Sequence, residues 1–163
     1  MRELAFYRGK KVLITGHTGF KGAYLSRILL LAGADVTGYA LDPPTDPSLF
    51  ALMKLSSDMR SVTGDVRDFD HLDNVVREVR PDVVFHLAAQ PIVRESYADP
   101  LYTYGTNVMG TANVLEAVRR TDSVRSAVIV TTAPAFVKTP AGKTAPFPSA
   151  NAVTLKPSTP GPS

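Results

Sequence analysis

Gly16-His17-Thr18-Gly19-Phe20-Lys21-Gly22 spaces three glycines at intervals of three, directly after the apolar run Lys11-Val12-Leu13-Ile14-Thr15 and at the start of a helix-period segment. Glycine permits a tight turn and lets backbone N–H groups approach an anion, and a helix start adds partial positive charge. A diphosphate is the ligand that such a turn suits. Asp42 follows twenty residues beyond Gly22. A carboxylate there accepts hydrogen bonds from ribose hydroxyls and repels a 2′-phosphate, so the pattern points to a dinucleotide site and to NAD rather than NADP. The plain alternative is a tight turn with no ligand, Asp42 being a solvated loop residue.

These residues need a frame to hold them. Lys11 to Thr15 reads as a buried strand, and Phe20 to Ala32 as a helix with Tyr24, Leu25, Ile28, Leu29 and Leu31, stopped by Gly33. Asp35 to Ala40 is a second strand, Leu41 to Ser57 an irregular connection with one helical turn, and Met59 to Thr63 a third strand. Phe69 to Val79 places Leu72, Val75, Val76 and Val79 on one helical face, and Arg80-Pro81 ends it before the strand Val83 to Leu87. Tyr102 to Arg120 is a long helix with Val108, Ala112, Leu115 and Val118 expected inward, and Ala127 to Thr131 is a fifth strand. Strands alternating with helices imply an α/β fold, a Rossmann-type doubly wound parallel sheet ordered 3-2-1-4-5.

Two compositions meet near Thr132. Residues 133–163 show neither strand nor helix period and hold seven of the thirteen prolines. The division is a nucleotide-binding domain over 1–132 and a Pro/Ala/Thr-rich tail over 133–163, expected to be disordered because its few large apolar side chains cannot offset the entropy of ordering it. The charge divides in the same way. Residues 1–130 carry 15 basic and 15 acidic side chains, and the net +3 comes wholly from Lys138, Lys143 and Lys156. No basic face is left for nucleic acid. Without cysteine there is no disulfide framework or thiolate metal site, and no metal site is expected. Arg2, Glu3, Arg8 and Lys10 stud the start, and nowhere is there an apolar stretch of about 18 residues, so neither signal peptide nor membrane span is expected and a cytoplasmic location is the default.

The glycine spacing, Gly64-Asp65-Val66-Arg67 after strand three and His86-Leu87-Ala88-Ala89-Gln90 closing strand four resemble an extended short-chain dehydrogenase/reductase. The stretches ITGHTGFKG, GYALDPPT, HLAAQPIVRESYADP and TNVMGT are most similar to the bacterial CDP-glucose 4,6-dehydratases, enzymes of deoxysugar biosynthesis for surface polysaccharides, over about residues 9–132. The resemblance implies NAD as cofactor, a nucleotide-sugar substrate and a homodimer built through a four-helix bundle. It implies that Asp65 and Val66 hold the adenine and that Leu87, Ala88 and Ala89 line the path of the ribose and nicotinamide; Asp65 as a mere turn residue is the alternative. His17 and Lys21 resemble that branch and lie where a diphosphate passes, Lys21 as a point charge or as a solvated lysine of the first turn. His86 is read as packing at a strand end, and Asn107 as a brace for the strand-four loop. Gln90, Arg94 and Ser96 are weakly indicated for the sugar nucleotide.

The resemblance breaks after strand five. The family follows it with a Ser/Thr and an Asp-Lys pair, and places a Tyr-x-x-x-Lys in the next helix. Here Thr132 matches the Ser/Thr as the one surviving catalytic position, Ala133 and Pro134 stand for the pair, and the sole Tyr-x-x-x-Lys is Tyr7 to Lys11, ahead of the first strand. Such a break is what a reading-frame shift would produce. The expectation is a truncated or frameshifted chain, catalytically impaired, with strand five an unpaired edge, the Val108–Leu115–Val118 face lacking its neighbour and the dimer compromised. A non-catalytic dinucleotide- or partner-binding module with a functional proline-rich tail is the alternative.

Overall fold

A computed structural model describes residues 3–130 and three short backbone segments, 136–138, 144–146 and 153–155. After a 3-10 turn at Glu3–Tyr7, the chain alternates β1 (Lys11–Thr15), α1 (Phe20–Leu31), β2 (Asp35–Ala40), the short helices α2 (Leu49–Leu52) and α3 (Leu55–Asp58), β3 (Arg60–Thr63), α4 (Phe69–Val79) and β4 (Val83–His86). It continues through α5 (Val93–Ala98), α6 (Pro100–Tyr104), a π-helical turn at Gly105–Met109, α7 (Gly110–Arg119) and β5 (Ser126–Ile129). The five strands are parallel in the order β3-β2-β1-β4-β5. This is the expected doubly wound sheet, with ends within two residues of those read from the sequence.

β1 is central because four of its five residues are apolar or polar-buried with no solvent side, Val12, Leu13, Ile14 and Thr15 being fully buried. On one face Leu13, Tyr39 and Val84 pack against Leu72, Val75, Val76 and Val79 of α4 and Val114 and Ala117 of α7. On the other, Val12, Ile14 and Val36 pack against Ala23 and Leu29 of α1 and Phe50 and Leu55 of the α2–α3 connection.

Two helix faces differ from the sequence reading for one physical reason. α1 buries Gly22, Ala23, Ser26 and Leu29, while Tyr24, Ile28 and Leu31 are exposed. The helix from Pro100 to Arg119 buries Thr106, Gly110, Val114 and Ala117; Ala112 is exposed, Val108 is 54% exposed, and Leu115 and Val118 pack at the margin of the core. In both helices small residues take the inward positions where the backbone comes too close for large ones, at Gly22 and Gly110. A Cβ at Gly110 would sit 2.6 Å from Val66 Cγ2. Of the face expected to lack a neighbour, Leu115 and Val118 pack against the core and Val108 stands exposed.

Strand five has a partner as well. β6 (Phe136–Lys138) and β7 (Thr144–Pro146) form an antiparallel pair, and β8 (Val153–Leu155) runs antiparallel beside β5 with Ile129 opposite Val153 and Ala127 opposite Leu155. The unpaired edge expected at Ala127–Val130 is corrected by that pairing. The expected disorder of the rest of the tail lies outside the described residues, as does Thr132.

Candidate functional site

The carboxyl ends of β1, β2, β3 and β4 meet at one edge of the sheet, and between β1 and β4 the strand order reverses. In an open α/β sheet that switch point is where the loops part and leave a crevice. The Gly16–Gly22 turn lies at its floor. Gly16 adopts φ +75, donates its N–H to the Tyr39 carbonyl at 2.9 Å and stands so near β4 that a Cβ would meet the Ala88 nitrogen at 2.7 Å. Gly22 is closed in from the other side, since its Cβ would meet the Gly16 carbonyl oxygen at 2.1 Å. Gly19 differs from both: it caps α1 with extended backbone, and a Cβ there would meet only the Gly16 oxygen, at 3.4 Å. The cradle is thus jammed at its two ends and open at its middle, above a helix whose first turn carries no acid.

His17 sends its ring inward rather than toward the open side. It is fully buried, pairs Nε2 with Ser61 Oγ at 2.6 Å, meets Phe50 edge to face at 5.2 Å and covers Gly38, where a Cβ would lie 2.2 Å from the ring. Burial pushes its pKa down to about 4, the nearby Tyr39 backbone offsetting only part of that, and Nδ1 makes no directional hydrogen bond. Its side chain therefore fixes the turn to β2 and β3. Phe20 and Lys21 are exposed at the start of α1. Thr18 Oγ1 donates to the Leu41 carbonyl at 2.9 Å, tying the glycine turn to the segment that carries the exposed Asp42.

At the end of β3, Val66 is buried in the core, while Asp65 keeps part of its carboxylate at the surface. Asp65 accepts from the Arg67 backbone N–H at 2.9 Å and from the Arg67 guanidinium through Nε and Nη2. That fork holds its carboxyl below the ordinary range against the opposing effect of burial. Tyr39 lies beneath this loop, donating to the Asp65 carbonyl at 2.9 Å, and burial followed by the charges of Asp68 and Asp65 pushes its phenol up to about 12.

Beyond β4, Leu87, Ala88 and Ala89 follow at intermediate exposure, the Leu87 and Ala88 backbone lying against Gly16. His86 is buried beneath them, Nδ1 paired with Thr15 Oγ1 at 2.7 Å and Nε2 with Thr111 Oγ1 at 2.9 Å, and burial lowers its pKa to about 4. It packs at the strand end, as expected. Asn107 braces the loop: Oδ1 accepts from the Gln90 N–H at 2.8 Å and Nδ2 donates to the Gln90 carbonyl at 3.0 Å. Asn107 lies in the π-helical turn, where an uninterrupted α-helix was expected, and local widening of this kind commonly accompanies a side chain recruited for such a contact. Gln90 is itself buried, folded back on the Ile92 backbone and Thr103. Arg94 is exposed on α5, and Ser96 returns its hydroxyl to the Val93 carbonyl at 2.6 Å. Gln90 and Ser96 thus spend their polar atoms on their own loop. Asn107→Ala should lower stability by about 1–3 kcal/mol by leaving buried Gln90 backbone groups unpaired, read as a shift in urea midpoint at constant slope.

Sequence reasoning gave Arg67, Ser61, Thr15 and Asn113 no role. Arg67 carried the one usable signal, an Asp-x-Arg spacing in a strand-end loop. Asn113 holds the same loop through Nδ2 to the Val66 and Arg67 carbonyls at 2.9 and 3.2 Å, a contact between segments far apart in sequence. No group of acidic, histidine or cysteine side chains among the described residues is arranged to hold a metal.

Fold and crevice together define a Rossmann-type doubly wound domain. The chain belongs to the GDP-mannose 4,6 dehydratase family, whose pattern covers residues 13–137. It is 52% identical over 131 residues to a CDP-glucose 4,6-dehydratase of Salmonella typhimurium, covering 80% of this chain and 36% of the relative. A GDP-mannose 4,6-dehydratase of Vibrio cholerae is 36% identical over 125 residues, covering 68% of this chain and 31% of the relative. The chain spans about a third of the length of these relatives. Among solved structures, UDP-glucose 4-epimerase of Brucella ovis in complex with NAD matches with TM-score 0.57 and 30% identity over 71% of this chain and 34% of that one. The UDP-glucose 4-epimerase of Thermus thermophilus, also a complex with NAD, matches with TM-score 0.65 and 27% identity over 81% of this chain and 41% of that one. No helix among the described residues is long and apolar enough to cross a membrane.

Proposed function

We propose that this chain forms the NAD-binding part of a CDP-glucose 4,6-dehydratase-like protein and that, as given, it binds the cofactor without efficient turnover. The observation that carries the reading is the glycine turn, closed at Gly16 and Gly22 and open at Gly19. Backbone N–H groups at the start of α1, from Phe20 to Gly22, hold the pyrophosphate, with the charge of Lys21 beside it. Asp42 accepts from the adenosine ribose, Asp65 and the Val66 backbone meet the adenine, and Leu87, Ala88 and Ala89 leave room for the remaining ribose and nicotinamide. His17 and Asn107 position the two walls without touching the ligand. The bound cofactor supplies hydride acceptance from a sugar carbon and hydride return.

Proton movement is what this sequence does not provide for. The only Tyr-x-x-x-Lys precedes β1, and Ala133-Pro134 stand where the family places Asp-Lys, so Thr132 alone remains of that set. A nucleotide-sugar 4,6-dehydration needs a base for the C4 hydroxyl and an acid for the departing water. Calorimetry is expected to show NAD binding, and an assay with CDP-glucose and NAD to show no substrate loss. Absence of NAD binding overturns the site, and rapid CDP-glucose loss overturns the impairment. Asp42→Ala should weaken NAD several-fold and narrow its margin over NADP, measured in the same titrations.

A further inference from the structure

The Asp65–Arg67 pair is built more elaborately than a surface ion pair requires. Exposed pairs contribute about 0–1 kcal/mol, so stability alone gives little reason for a side chain to be held on several sides. Arg67 is so held. Its fork grips one oxygen of Asp65, its guanidinium carbon lies 4.6 Å from the centre of the Tyr102 ring, and its Cδ is 3.4 Å from the place a Cβ on Gly105 would take. Asn113 pins the backbone carbonyl of the same residue.

This fixes what Asp65 can still accept. A carboxylate has about four lone-pair positions. Nε and Nη2 of Arg67 occupy Oδ2, and the Arg67 N–H takes one place on Oδ1. One position on Oδ1 remains, with its direction set. The neighbouring guanidinium also keeps the carboxyl ionised and offsets its charge, so that a neutral N–H donor can dock against it at low desolvation cost.

We infer that Arg67 is a positioning residue that aims the last free acceptor site of Asp65 at the exocyclic amino group of the cofactor's adenine, and so sets the protein's preference for a 6-aminopurine. This rests on the NAD-binding reading above. Arg67 itself touches no ligand.

The test compares NAD with its analogue carrying hydrogen in place of the adenine 6-amino group, titrated calorimetrically into the whole chain. One hydrogen bond to a charged acceptor corresponds to about a tenfold preference for NAD in the parent protein. Arg67→Met should reduce that preference to about twofold while far-UV dichroism is unchanged. Arg67→Lys, which keeps the stem and charge without the fork, should fall between them and serves if the Met variant does not fold. If both variants bind the two ligands more weakly but keep the parent ratio, Arg67 is merely structural and the inference is overturned. A parent that binds NAD without any preference overturns the aimed acceptor while leaving the cofactor site intact. A parent that binds neither ligand overturns the cofactor site and the inference with it.

Discussion

Gly22→Ala is expected to destabilise the domain by more than about 3 kcal/mol, whereas Gly19→Val should melt within about 1 kcal/mol of the parent and yet lose NAD affinity on the order of a hundredfold. At Gly22 the added carbon would stand 2.1 Å from the Gly16 carbonyl oxygen and 2.7 Å from His17 Cα. Both are backbone atoms of a turn already fixed by Gly16 N–H to Tyr39 and Gly19 N–H to Gly16. No rotamer relieves such a contact, so α1 must lift from β1 and the packing of Ala23 and Leu29 with it. At Gly19 the backbone is extended, with φ −75 and ψ 166, which valine adopts without strain. Its branched side chain enters open space above the turn, the path assigned to the pyrophosphate. Thermal melts and calorimetry on the two variants separate fold from ligand. Undiminished NAD affinity in Gly19→Val would remove the pyrophosphate from this turn, and a parent-like melt for Gly22→Ala would remove the close packing as the reason for that glycine.

The same contrast explains what the sequence made legible. Strands β1 and β4 announce themselves because a buried parallel strand reads as a continuous apolar run, and the glycine turn is visible because its spacing is local. Helix faces are read by looking for large apolar residues, and that rule failed where the backbone approaches closest. Gly22, Ser26, Thr106 and Gly110 form inward seams, and Ile28, Leu31 and Val108 point outward. Asp42, by its spacing, and Asp65 and the Leu87–Ala89 segment, by family resemblance, were legible as candidates for the cofactor walls we propose. Their supports were not, since Ser61 meets His17 across 44 positions and Asn113 meets Val66 across 47, and no local spacing records such pairs. His17 is the case in between. Its position suggests a phosphate contact, and only the depth of the ring beside Gly38 turns it into an anchor.

Lowering the pH from 7 to 5 should destabilise the protein by about 4 kcal/mol, about 2 kcal/mol from each of the two buried histidines. Burial holds His17 and His86 neutral in the folded state down to about pH 4, against an ordinary value of 6.5 in the unfolded chain. Below pH 6.5 the unfolded chain therefore binds more protons than the folded one, and stability falls as pH is lowered through the interval from 6.5 to 4. Above that interval the full contribution is present. The carboxylates act at lower pH: arginine bonds hold Glu116 near 2 and keep Glu78 and Asp65 below their ordinary values, so their effect is lost only as pH drops beneath the carboxylate range. Hydroxyl partners do not rescue the histidines. Ser61, Thr15 and Thr111 can pair with a neutral ring nitrogen but carry no charge to balance an imidazolium. Urea denaturation at pH 7 and pH 5 measures the effect directly. A His17→Gln/His86→Gln double variant, whatever its stability at pH 7, should show a much flatter pH dependence across this interval. A parent protein whose unfolding free energy changes by less than about 1 kcal/mol between the two pH values would mean that the rings are not buried neutral, and with that the anchoring of the glycine turn by His17 would fail.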